Sequence, residues 1–183
     1  MYNQAFFDFE QYAEFAADTA QNIGLALAAI LIVVLFITAN LVVTAFVLLC
    51  VALVVLNVLG SMFYWDITLN SVSVVNSIIA IGLAVDYSAH IAHAYQEASY
   101  KSQDKVDIRL EKTRKALGTM GSSVFHGAFS TFLAVVTLSA SKSYIFRVFF
   151  SMWFGIVVYG ILHGFVLMPV MLSYLGPLTQ PSG

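Results

Sequence analysis

The sequence predicts an all-α membrane protein, with five transmembrane helices plus amphipathic interfacial helices. Three observations carry that expectation. Sixty per cent of the 183 residues are apolar and 10% are charged, against roughly 25% charged in an average soluble chain. Residues 19–65 contain no Asp, Glu, Lys or Arg, a stretch too long for one span of about 20 residues and suited to two. Six of the eight Lys and Arg fall within residues 101–115, which the positive-inside rule reads as a cytoplasmic loop.

Taken in order, residues 1–21 form an extracytoplasmic or luminal approach segment. Within it Phe9, Tyr12, Ala13 and Ala16 keep helical spacing while Asp8, Glu10, Glu14 and Asp18 take other positions, the pattern of an amphipathic helix with aromatic anchors. The polar pause Thr38-Ala39-Asn40 divides the uncharged stretch into spans at 22–37 and 41–60, a tight antiparallel hairpin. Residues 61–70 are a short aromatic connector, and a third span ends near 95, so that residues 22–95 hold three spans. Residues 96–117 alternate acids and bases, with Asp107–Glu111 repulsive and Glu111–Lys115 attractive at i,i+4. Val106, Arg109 with its aliphatic stem, Leu110 and Leu117 suggest a cytoplasmic helix lying along the membrane surface.

The fourth span covers 118–140 and is rich in small residues. Gly118/Ser122 and Ser123/Gly127/Thr131 are small-xxx-small pairings that permit close helix approach. The fifth runs over about 145–174, with Gly155, Gly160, Gly164 and Pro169 marking close contacts or a bend, so residues 118–175 hold two spans. Residues 176–183 form a cytoplasmic tail. Lys142 and Arg147 fall on the wrong side of the membrane in this orientation, two bases against six.

The third span carries the chemistry. At 100° per residue Ile79, Gly82, Asp86, His90 and His93 fall within about 40° of one line along the helix. An ionised Asp inside a membrane helix costs roughly 2.5–3.5 kcal/mol on insertion scales, so Asp86 is expected to face protein or water and is the strongest functional candidate. A carboxylic acid withdrawn from water holds its proton more tightly, and a nearby cation reverses this, so such a group can switch charge as water reaches it from alternate sides. His90, one turn on, is its natural hydrogen-bond partner, and imidazole titrates in the useful range. His126 on the fourth span is a third member of this proton- or cation-coupling set. Gly82, Ser122, Ser123 and Gly127 are expected to pack helices at the site, and His163 to hydrogen-bond between helices.

Other chemistries lack support. Asp86, His90 and His93 spread over about 10 Å of one helix and cannot all reach one metal ion. Ser88 and Ser123 have no base and orienter, so nucleophilic catalysis is unsupported. Cys50 can form no internal disulfide. No cofactor, no metal, no enzyme activity and no nucleic-acid partner are expected.

With the spans placed, NSVSVVNSIIAIGLAVDYSAHIAHAY, including G-x-x-x-D at Gly82 to Asp86, resembles the tenth helix of the Patched / Niemann–Pick type C group of the resistance-nodulation-division (RND) superfamily. MGSSVFHGAFSTFLAVV at 120–136 resembles the eleventh helix, and SKSYIFRVFFSMWFGIVVYGILHGFVLMPVMLSYLGP at 141–177 resembles the twelfth. FFDFEQY at 6–12 is similar to the point where the second luminal domain re-enters the membrane. The resemblance implies half of an RND-type transporter bundle, helices eight to twelve, in a proton- or cation-coupled sterol or lipid transporter. It implies Asp86 as the coupling carboxylate, membrane lipids including sterol as partners, and an endolysosomal or plasma membrane. The sterol-sensing half, the luminal domains and a partner acid on the fourth helix of such transporters have no counterpart here. They are expected from the same longer polypeptide or a separate subunit. A non-transporting structural or receptor-like membrane subunit derived from that fold is the alternative expectation.

Overall fold

The computed structural model describes residues 4–100 and 104–178, with side chains described from residue 17 onward. Its elements are α1 (Gln4–Thr38), α2 (Leu41–Tyr64), α3 (Ser71–Glu97), α4 (Lys105–Ala116), α5 (Ser122–Val136), α6 (Tyr144–Ile161) and α7 (Met168–Leu175). A π-turn, Leu117–Gly121, joins α4 to α5, and a second, Leu162–Leu167, joins α6 to α7. Five helical stretches among the described residues are long and apolar enough to cross a membrane: Ala17–Thr38, Leu41–Tyr64, Ser71–Glu97, Lys105–Ala140 and Tyr144–Leu175. The chain is therefore a multi-pass, all-α integral membrane protein.

Local chemistry sets the helix starts. Ala39 takes a left-handed φ of 46°, which turns the chain sharply, and Asn40 then caps α2 by accepting from the Val42 and Val43 amides at 3.0 and 3.2 Å. The hairpin is closed by a 2.8 Å hydroxyl pair, Thr38 with Thr44. Asn70 caps α3 through a reciprocal box with Ser73: its side chain accepts from the Ser73 amide, and the Ser73 hydroxyl accepts from the Asn70 amide.

Helix α3 sits in the middle, in contact with each of the other six helices. The core is built from the valine face of α2 (Val43, Val47, Val51, Val54), from Ala80, Ile81, Ala84 and Ile91 of α3, and from Met152, Ile156, Met168 and Leu172 of α6 and α7. Small residues on α3 let its neighbours approach, and the methionines fill the remaining gaps. Helix α1 is peripheral, with Phe36 87% exposed. Two pairings join polar groups across helices inside the bundle. Trp153 Nε1 donates to buried Asn76 Oδ1 at 3.2 Å, and the Ser61 and Tyr159 hydroxyls lie 2.6 Å apart.

Two expected boundaries differ. The amphipathic segment at 6–18 is not a separate interfacial helix, because α1 runs unbroken from Gln4 to Thr38. No proline or glycine interrupts 6–22, and one continuous ladder leaves fewer unpaired peptide groups than two helix ends. The basic segment likewise continues into the fourth span. Gly118 alone does not stop it, since the π-turn absorbs the change without breaking the backbone bonding. Its two sides differ in burial. Val106 and Leu110 are exposed, whereas Ile108, Lys112, Thr113 and Ala116 are buried.

Lys112 is 0% exposed, with Nζ 4.9 Å from the Tyr95 ring centroid and 5.8 Å from that of Tyr100, a desolvated cation–π arrangement. Beside it Arg109 donates from Nε to Gly176 O and from Nη1 to Tyr174 O, each at 2.9 Å. Tyr95 and Tyr100 donate to Pro177 O and Leu178 O, and Gln96 Nε2 donates to Thr38 O at 2.8 Å. The α1–α2 turn, the α3–α4 connection and residues 176–178 thus share one end of the bundle.

Candidate functional site

Asp86 and His90 lie one turn apart on α3, along the wall of a groove of about 230 Å³ between α3 and α5. Leu83, Tyr87, Val124, Gly127 and Thr131 complete it. Val124, Gly127 and Thr131 come from one face of α5 at i, i+3 and i+7, which is why one helix can supply the opposite side. Gly127 adds no side chain to the groove, and Thr131 turns its hydroxyl to Gly127 O at 3.0 Å. Within this chain Asp86 and His90 are exposed rather than sheltered between helices. No hydrogen bond or ion pair links the two among the described residues.

The other expected site residues go elsewhere. His93 faces Glu97, with Nδ1 3.4 Å from Oε2. His126 is outside the groove, its Nδ1 3.3 Å from the Ser122 hydroxyl and its ring edge-on to Phe125. The 100° step from Gly127 to its neighbour carries His126 off the groove face. His163 is buried, but its Nδ1 pairs with Tyr159 O of the same helix at 2.8 Å rather than across helices. Gly82, Ser122, Ser123 and Gly127 all lie on the exposed surface of α3 and α5. A Cβ at Gly82 or Gly127 would meet nothing within 4 Å, and both serines are exposed. Gly155 packs closely against Trp65, and Gly160 and Gly164 against Tyr87, as expected of these three glycines; Gly176 packs against Tyr95.

Sequence reasoning passed over Tyr87 and Val124. The signal for Val124 was its i, i+3, i+7 register with Gly127 and Thr131. Tyr87 had no signal beyond adjacency to Asp86. Among the described residues no group of three or more His, Cys, Asp or Glu could hold a metal ion.

The described residues thus define a multi-pass, all-α integral membrane protein whose central helix presents a carboxylate and an imidazole to a groove within its span. The chain matches no family model. It is 40% identical over 181 residues to NPC intracellular cholesterol transporter 1 homolog 1b of Drosophila melanogaster, covering 96% of this chain and 14% of that protein. It is 38% identical over 172 residues to NPC intracellular cholesterol transporter 1 of Sus scrofa, covering 92% and 13%. It is 36% identical over 165 residues to the Niemann-Pick type C1-related protein of Toxoplasma gondii, covering 90% and 13%. The chain is thus homologous to members of the Niemann–Pick type C1/Patched-type sterol transporter family, and spans about one seventh of the length of these relatives.

Proposed function

We propose that this chain forms helices eight to twelve, the C-terminal transmembrane half, of a proton- or cation-coupled sterol or lipid transporter. Asp86 is the group whose charge follows the gradient, and His90 is the partner that exchanges protons with it. The observation that carries this reading is the placement of Asp86 and His90 on an open groove of the central helix, rather than inside the five-helix core. A carboxylate kept at bilayer depth without an internal partner has a functional use that offsets its insertion cost. The remainder of such a protein, as long relative to this chain as in the relatives, would cover the groove and supply the lipid path. Sterol or another membrane lipid is the cargo, in keeping with the names of the relatives, and an endolysosomal or plasma membrane is the setting.

The test is Asp86→Asn, which keeps the shape and removes the titration. Sterol efflux from vesicles carrying the intact protein should be abolished, with expression and thermal unfolding unchanged. Normal gradient-driven transport by that variant would remove Asp86 from the mechanism.

A further inference from the structure

Tyr87 follows Asp86 on α3 and packs against the π-turn that joins α6 to α7. Its side chain is 5% exposed. An ideal Cβ on Gly160 would lie 2.5 and 2.6 Å from its Cδ2 and Cε2 atoms, so the ring occupies the space a side chain at 160 would need. An ideal Cβ on Gly164 would lie 3.0 Å from Tyr87 Cβ and 3.2 Å from its carbonyl C and O, so here the two backbones touch. Gly164 belongs to the π-turn Leu162–Leu167. On another side of that turn the Cys50 thiol points to His163 O at 3.8 Å. On a third, Gly121 of the other π-turn faces Phe165, with 3.6 Å from an ideal Cβ to Cε1. The Tyr87 hydroxyl is buried and has no hydrogen-bond partner among the described residues, so no directional bond pins the ring in its cleft.

We propose that Tyr87 is the positioning residue that links the state of Asp86 to the π-turn of α6–α7. This rests on the reading of Asp86 as the gradient-responsive group. A π-turn holds one residue more than an α-helical turn, and its migration rotates each residue it passes by about 100° and advances it by about 1.5 Å. A small displacement of α3, carried by the Tyr87 ring and backbone into Gly160 and Gly164, becomes a discrete change of register in the neighbouring helix. The titratable groups around the pair are few. His90 shares α3, and α6 and its π-turn bring Tyr159 and His163, the latter paired with Tyr159 O. Helix α2 brings Cys50, and α5 brings only Val124, Gly127 and Thr131 to the groove. Asp86 and His90 are therefore the groups whose charge the link transmits.

The experiment is hydrogen–deuterium exchange on the intact protein in phosphatidylcholine nanodiscs, at about pH 5 and about pH 8, which bracket imidazole titration. After correction for the intrinsic pH dependence of exchange, peptides covering residues 160–170 should change protection by at least about threefold between the two conditions. Asp86→Asn and Tyr87→Ala should each abolish the change, and Tyr87→Phe, which keeps the ring, should retain it. If Tyr87→Ala does not assemble, Tyr87→Leu fills the cleft without a ring and should also lose the response. Equal protection at both pH values in the parent protein, or an undiminished response without the ring, overturns the link. If the Asp86→Asn variant is dead in transport while the π-turn ignores pH, only the role of Tyr87 falls. If Asp86→Asn transports normally, both readings fall.

Discussion

Gly164→Ala offers a sharp measure of how the bundle is held together. The added methyl would stand 3.0 Å from Tyr87 Cβ and 3.2 Å from the Tyr87 carbonyl carbon and oxygen. Backbone atoms of α3 cannot rotate aside, so α3 and α6 must separate by a few tenths of an ångström. That separation also loosens the fit of the Tyr87 ring on Gly160. Overpacking of this kind costs about 1–3 kcal/mol. Gly82→Ala is the matched control on α3, because a Cβ there would meet nothing within 4 Å. With no clash, alanine in a helix interior gains roughly 0.5–1 kcal/mol over glycine. Because that gain applies at both positions, unfolding of each purified variant in mixed micelles, followed by helical circular dichroism, should separate the two by the overpacking cost of about 1–3 kcal/mol, with Gly164→Ala the less stable. A Gly164→Ala variant as stable as Gly82→Ala would refute the direct backbone contact between α3 and the π-turn.

Two further changes probe other parts of the fold. Arg109→Ala removes both hydrogen bonds to Gly176 O and Tyr174 O; hydrogen bonds to charged groups contribute roughly 1.5–3 kcal/mol each when sheltered and less at this half-exposed site. Limited proteolysis should cut the 174–178 region faster in that variant, and an unchanged cleavage rate would show that the clamp holds nothing. Trp153→Phe keeps an aromatic ring but leaves Asn76 Oδ1 without its donor, at a cost of about 1–3 kcal/mol for a buried unsatisfied acceptor. Thermal unfolding should report that loss, and restoring stability with a further Asn76→Leu change would confirm that the acceptor is the cause.

Where a helix begins was legible in short-range chemistry. Asn40 and Asn70 cap α2 and α3 through atoms two and three residues away, so residue identity near the terminus suffices to place the start. The five apolar stretches were legible for a similar reason, since crossing hydrocarbon demands length and apolarity, and both can be counted. Asp86 stood out because one charge inside such a stretch is expensive wherever the helix lies. The attractive pair Glu111–Lys115, at 3.1 Å, follows from i,i+4 spacing alone.

The partner of each helix face was settled instead by packing between segments far apart in the chain. Nothing in the periodicity of α4 marks Lys112 as an inward residue, yet it turns inward because Tyr95 and Tyr100, from another helix and its following segment, offer their ring faces. Gly155, Gly160 and Gly164 were legible as close contacts, but that the ring filling the cleft at Gly160 and Gly164 comes from Tyr87 was not. His126 and Gly127 are neighbours in sequence, yet only Gly127 reaches the groove with Asp86. A helix distributes successive residues 100° apart, so sequence fixes which residues share a face. What that face meets depends on the rotation and separation of whole helices, which are set by the summed fit of every side chain between them.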